Sequence, residues 1–174
     1  MSSDSRLNLS RRAVLAASVG LLGALAGCQV RPLYSEALGT RKLMASIGFS
    51  PATDRVGQEV RNRLIFLAGG GQGEAAHPEY FLTLAVKTDT TEVLINESTD
   101  RATAGRVTVS ADYTLKKASD LSVMRIAHRQ AVALVDFPTQ EFAKLRAVRD
   151  AENRAARELA ELISADLASI LVRK

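Results

Sequence analysis

The stretch from Arg106 to Lys116 limits the possible folds more than any other. Val107, Val109, Ala111, Tyr113 and Leu115 alternate there with Arg106, Thr108, Ser110, Asp112, Thr114 and Lys116. Period-two alternation gives a strand one apolar and one polar face, the pattern of a half-buried antiparallel sheet. Lys117-Ala118-Ser119-Asp120 follows directly. A turn of that length joins antiparallel neighbours, because a parallel crossover needs a dozen residues or more. A doubly wound parallel sheet is therefore disfavoured, and Leu121 to Val135 is expected to return as the next strand. The mixed middle of that segment, with Arg125, His128, Arg129 and Gln130, implies one exposed face or an edge position.

Upstream, Tyr80, Leu82, Leu84, Val86 and Thr88 share one face of another strand. It is expected to continue through Val93-Leu94-Ile95 as a long or bulged strand, and the polar, turn-rich stretch from Asn96 to Gly105 reads as a loop. Lys42 to Phe49 also alternates, with Leu43, Ala45, Ile47 and Phe49 on one side, which predicts the first strand. Ser50-Pro51 is expected to end it and open a helix, since proline is acceptable in a first turn. Val56, Val60, Leu64 and Leu67 recur at helical spacing while Asp54, Arg55, Glu59, Arg61 and Arg63 cover the outer face. Gly69-Gly70-Gly71-Gln72-Gly73 stops that helix. The cluster is no phosphate cradle, because it follows a helix and no Gly-Lys-Ser/Thr comes after it.

Pro138-Thr139 can begin the last helix, with Thr139 as its N-cap. Its predicted apolar stripe is Phe142, Leu145, Val148, Ala155, Leu159, Leu162, Ile163, Ile170 and Leu171. Opposite charges four apart, at Arg146 and Asp150, Asp150 and Arg154, Arg154 and Glu158, and Arg157 and Glu161, mark a solvated side. Two amphipathic helices and one sheet predict an α+β fold: about four mostly antiparallel strands, both helices on one face, in the order β-α-β-β-β-α.

The amino terminus carries a different kind of signal. Arg6, Arg11 and Arg12 precede an apolar run from Ala13 to Ala26, which ends in Leu25-Ala26-Gly27-Cys28. A charged start, a short apolar centre and a small-residue exit are the requirements of a secretory signal, and the run is too short to span a bilayer, for which roughly 20 residues are needed. Leu-Ala-Gly-Cys resembles the bacterial lipobox, in which the thiol takes a lipid and the chain is cut just before it. Cys28 is the only cysteine, so a lipidated chain keeps no thiol for a disulfide, a redox pair or a thiolate metal site. Several acyl chains give stable membrane attachment where one holds only marginally. The lack of aspartate after the cysteine, where Gln29 stands, favours the outer membrane. Ser10-Arg11-Arg12-Ala13-Val14-Leu15 also resembles a twin-arginine export signal, so the export route stays open between the two systems. The expected organisation is a lipoprotein signal peptide over residues 1–27, a lipidated amino terminus and tether over 28–41, and one domain over 42–174.

Removal of residues 1–27 lowers the formal charge from +4 to +2, with 20 basic against 18 acidic residues remaining. That is no nucleic-acid-binding balance. Catalytic signatures are missing as well. His77 falls in a loop and His128 on a strand, neither has a metal-ligand spacing, and no Gly-x-Ser-x-Gly elbow presents a serine. The sequence predicts no enzyme, no metal and no cofactor beyond the covalent lipid on Cys28.

Gly27-Cys28-Gln29-Val30-Arg31-Pro32-Leu33-Tyr34 resembles the opening Gly-Cys-Gly-Phe-x-Pro-Leu-Tyr of the lipopolysaccharide-assembly lipoprotein family LptE, in its alphaproteobacterial form. Phe142 to Glu152, with Ala155-Ala156-Arg157-Glu158-Leu159, resembles the final helix of the same family. Gln29 and Val30 depart from its glycine and phenylalanine. The resemblance implies an outer-membrane lipoprotein that helps the β-barrel LptD assemble and, with it, delivers lipopolysaccharide to the surface. Lipid A carries phosphates, so Arg101, Arg106, Lys116 and Lys117, which flank the loops at the sheet ends, are the candidate lipopolysaccharide-binding residues. An auxiliary lipoprotein of a lipid-transport ABC system, or a secretin pilotin, would share the signal and the anchor without needing a barrel partner.

Overall fold

The computed structural model describes residues 39–96 and 101–172. The expected signal peptide, Cys28 and the expected tether up to residue 38 lie outside them. The elements are α1 (Thr40–Ala45), β1 (Ile47–Phe49), α2 (Arg55–Gly69), β2 (Tyr80–Asn96), β3 (Arg101–Lys117), β4 (Val123–Asp136) and α3 (Glu141–Val172). The four strands form one sheet in the order β1-β2-β3-β4, antiparallel except for the β1–β2 pair. The fold is α+β, as expected, with one helix more than the sequence announces.

That extra helix corrects the reading of Lys42–Phe49 as one strand. Its first half is α1, where Thr40 and Met44 are buried one turn apart, and β1 keeps three residues, all buried. Arg41 to Ser46 contains no β-branched residue, so nothing local favours an extended chain. Thr40 and Arg41, assigned to the tether on sequence, stand in α1.

Helix α2 opens later than expected. Asp54, not proline, caps it by accepting a hydrogen bond from the Gly57 amide at 2.8 Å. Its other end stops at Gly70, whose φ of 59° places it in the left-handed region that favours glycine. Val56, Val60 and Leu64 turn into the core, as their spacing requires.

The sheet also gains length. Strand β3 begins at Arg101, inside the stretch read as a loop, and pairs with the end of β2 across a register shift at Glu92–Leu94. Thr103 is the one strand former between Arg101 and Gly105, and the extension comes mainly from cross-strand main-chain pairing. On β3 the predicted core face holds: Val107, Val109, Ala111, Tyr113 and Leu115 are all buried against the helices.

Helix α3 has 32 residues, so it is about 48 Å long. It crosses β3 and β4 and packs along α2. Ala151, Ala155, Ala156, Leu159, Ala160, Ile163, Leu167 and Leu171 form its buried side, and the alanines let the helix axis approach the sheet closely. The predicted stripe is corrected at its start, because Phe142 and Leu145 are exposed and full burial begins only at Ala151. Leu162 also faces outward. The helix charges are corrected too: Arg154 pairs with Asp150 at 3.0 Å, but Glu161 takes Arg63 and Glu152 takes Arg55, both from α2. These bridges hold one helix to the other.

Candidate interaction surface

The sheet has two unlike faces. Both long helices cover one; the other is uncovered among the described residues. Thr108, Ser110, Asp112 and Thr114 on β3 alternate with the buried set and therefore point to the open side. On β4 the register places Ile126 beside Thr114, His128 beside Asp112, Gln130 beside Ser110, Val132 beside Thr108 and Leu134 beside Arg106. The open face is thus a polar field bordered by the β4 row, in which Ile126 at one end and Val132 and Leu134 at the other flank His128 and Gln130. Ile126 is 71% exposed and Leu134 68%.

That row went unread in the sequence, although a signal was there. Ala131-Val132-Ala133-Leu134-Val135 runs without a polar break. A continuous apolar run marks a strand covered on both faces, whereas alternation marks one covered on a single face. Ala131, Ala133 and Val135 are buried under α3, while Leu134 and Val132 are exposed, with no cover among the described residues.

More apolar surface collects where β2, β4 and the start of α3 come together. Val93 and Leu94 are exposed at the far end of β2, as are Phe142 and Leu145 on the first turns of α3, with Phe142 84% exposed. Lys144 ties these elements: its ammonium lies 4.5 Å from the centre of the Phe137 ring and 3.5 Å from Glu92 of β2. The Phe137 ring fills the space over Gly105, where a Cβ would come within 2.2 Å of it. Exposed apolar groups gathered in this way mark surfaces that meet other molecules.

The four basic residues singled out on sequence do not form one site. Arg101 and Arg106 are exposed in the first part of β3, whereas Lys116 and Lys117 close its opposite end. Ten residues of strand separate Arg106 from Lys116, roughly 33 Å. Arg106 shares its end of the sheet with Leu134, its partner in the β3–β4 register.

The strongest polar cluster belongs to the covered side. The Tyr113 hydroxyl donates to Asp166 of α3 at 2.7 Å, and Arg129 reaches the same carboxylate through Nε at 2.7 Å and Nη2 at 3.0 Å. Burial, then the bond to Asp166, push the Tyr113 phenol well above its usual value. Arg129 is raised by its bond to the same carboxylate. The cluster fastens α3 to β3 and β4, with its tyrosine sealed in the core. On the open face, His128 Nδ1 and Asp112 lie 2.8 Å apart across the strands, both exposed. His77 is an exposed loop residue. Among the described residues no group of His, Cys, Asp or Glu could hold a metal ion, and no helix is long and apolar enough to cross a membrane.

Solved structures share this arrangement. A protein described as a lipoprotein of Caulobacter crescentus CB15 is 27% identical, with 78% of this chain and 98% of that one covered at a TM-score of 0.64. Rare lipoprotein B of Shewanella oneidensis shares the fold at 12% identity and a TM-score of 0.54, covering 71% of this chain and 92% of its own. No curated protein matches the chain. The LptE family model, described as lipopolysaccharide-assembly, matches residues 44–167, from α1 through most of α3. The chain belongs to the LptE family of lipopolysaccharide-assembly proteins.

Proposed function

We propose that the protein is an outer-membrane lipoprotein, held at the periplasmic side by lipid on Cys28, that supports assembly of the LptD barrel and, with it, delivery of lipopolysaccharide to the cell surface. The family match across the domain carries this reading. The open face of the sheet supports it, since its polar field and the exposed Ile126, Val132 and Leu134 have no covering layer among the described residues. In this reading that face meets the barrel. In this reading Arg101 and Arg106, at the same end of the sheet as Leu134, engage lipid A phosphates, and Lys116 and Lys117, at the other end with Ile126, engage them separately. The domain works by binding and placement, with no catalytic step of its own.

Depletion tests the proposal. Surface lipopolysaccharide should fall and LptD should fail to mature as the protein is lost, with both restored by the wild-type chain. Normal surface lipopolysaccharide and normal LptD after depletion would refute it.

A further inference from the structure

The two ends of the sheet stand in different relations to Cys28. The described chain begins at Gly39, directly before α1, and α1 lies at the end of the sheet where β3 turns into β4. Main-chain hydrogen bonds fix that neighbourhood: Glu79 N–H donates to Ser46 O at 2.9 Å, and Ala118 N–H donates to Glu79 O at 2.9 Å. Arg41 and Lys42 of α1, both exposed, therefore share this end with Lys116, Lys117 and the turn that follows them. Helix α3 starts at the other end, reaching Leu134 through Arg154 first and Tyr113 through Asp166 further on. Gly39 stands eleven positions after Cys28, a reach of at most about 40 Å.

The β3–β4 turn carries a second observation. Leu121 has a φ of 59°, in the left-handed region that glycine, asparagine and aspartate occupy more readily. The turn holds it there, since Leu121 N–H donates to Lys117 O at 3.1 Å and Lys117 N–H to Ser122 O at 3.0 Å. The leucine gains no burial in return. Its side chain is 69% exposed, and Val123 beside it is 53% exposed. An unfavourable backbone that presents an uncovered apolar tip points to a surface made to meet another medium.

With the lipid on Cys28 assigned above as its premise, we propose that this end of the domain rests on anionic phospholipid, in the leaflet that holds that lipid. Leu121 and Val123 enter the headgroup layer, and Arg41, Lys42, Lys116 and Lys117 meet its phosphates. An apolar tip ringed by cations is the composition of an interfacial contact, and each cation adds attraction to an anionic surface. Two carboxylates share this end, Glu79 and Asp120, and the cations outnumber them; one oxygen of Asp120 is taken by the Ser122 amide at 3.0 Å and hydroxyl at 2.7 Å. The opposite end exposes more apolar surface, with Phe142 84% exposed, and the tether selects between the two. It leaves from the α1 end and holds that end near the bilayer at high effective concentration. Lys116 and Lys117 meet lipid A phosphates in the proposed function; the same charge meets the phosphates of the anchoring leaflet first, because the tether keeps them within reach. Docked this way, the domain carries Arg101, Arg106 and Phe142 away from the leaflet and leaves the open face of the sheet unused.

Fluorescence quenching on the full lipidated chain in vesicles tests it. Cys28 is the only native cysteine, so with its thiol lipidated a single introduced cysteine takes the fluorophore: Ser119→Cys in the turn, or Gln140→Cys at the opposite end. Sedimentation of the chain with the vesicles reports the anchor by itself, which keeps a failure of the lipid reading distinct from a failure of the docking. In vesicles of mixed phosphatidylglycerol and phosphatidylcholine, a nitroxide at headgroup level should quench the Ser119→Cys probe strongly and the Gln140→Cys probe weakly. Pure phosphatidylcholine should abolish the difference. Lys42→Glu and Lys117→Glu should each lower the docked-to-undocked ratio by about fivefold. Leu121→Asn, which suits the same backbone, should lower it with the circular dichroism unchanged. Equal quenching of both probes, stronger quenching at position 140, a requirement for added lipid A in place of phosphatidylglycerol, or indifference to both charge reversals would each overturn the proposal. A chain that does not sediment with the vesicles would remove the lipid reading and the docking together.

Discussion

The two faces of β3 are made from one run of sequence and do opposite work. Toward the helices stand Val107, Val109, Ala111, Tyr113 and Leu115, each at most 1% exposed. Away from them stand Thr108, Ser110, Asp112 and Thr114, half-buried or exposed on the opposite face. The first set holds the domain together. The second is free to be chosen for what it meets, because a polar β-face in water adds little to stability. The difference teaches that substitutions on the two faces should separate folding from function, and each prediction below tries to break that separation.

The largest effect belongs to the covered side. Leu159 of α3 is fully buried, and Leu159→Ala should lower stability by about 3 kcal/mol, read as the urea midpoint. Gly105→Ala drives a methyl into the Phe137 ring and should cost about 2 kcal/mol while loosening the start of α3, visible as faster amide exchange near Lys144. Asp166→Ala removes the shared acceptor of Tyr113 and Arg129. Since the arginine and the carboxylate are both partly exposed, the ion pair is screened, and a loss of about 1 kcal/mol is expected in thermal unfolding.

The same cluster predicts a pH dependence. Tyr113 titrates higher when folded than its ordinary value near 10, so above that pH the unfolded chain loses the proton first and folding stability falls. A single proton gives a slope of about 1.4 kcal/mol per pH unit. Tyr113→Phe should flatten the decline in stability above pH 10, and an unchanged slope would mean the phenol is not sealed. The smallest effect belongs to the open face, where Thr108→Ala should move the melting midpoint by less than about 0.5 kcal/mol equivalent. A larger loss would show that this face carries stability after all.

The core of this design was legible because its signals are periodic. Val107 to Leu115 announced the strand, Val56, Val60 and Leu64 the helix, and Gly70 its end. Where structure and sequence part, the deciding interactions are distant along the chain. Lys42–Phe49 alternates well enough to resemble one strand, yet its first half folds into α1, where Thr40 and Met44 bury one turn apart once the helices are packed. Arg101 to Gly105 reads as a loop until β2 is there to pair with it. Phe142 and Leu145 fit the stripe of α3, and only the placement of the sheet leaves them outside. On the candidate surface, reading Arg106 to Lys116 as one strand already set the four basic residues at its two ends. The apolar row on β4 was written in the unbroken run from Ala131 to Val135, and it needed the register to show which of those side chains lack cover.

Engagement of the barrel by the open face is the central proposal for this LptE-family domain, and recovery of LptD with the full chain purified from membranes tests it most directly. Wild type should bring LptD with it, and Ile126→Asp with Leu134→Asp should lose it while keeping the wild-type melting midpoint. Equal recovery of LptD with that double variant, or none with wild type, would contradict the account.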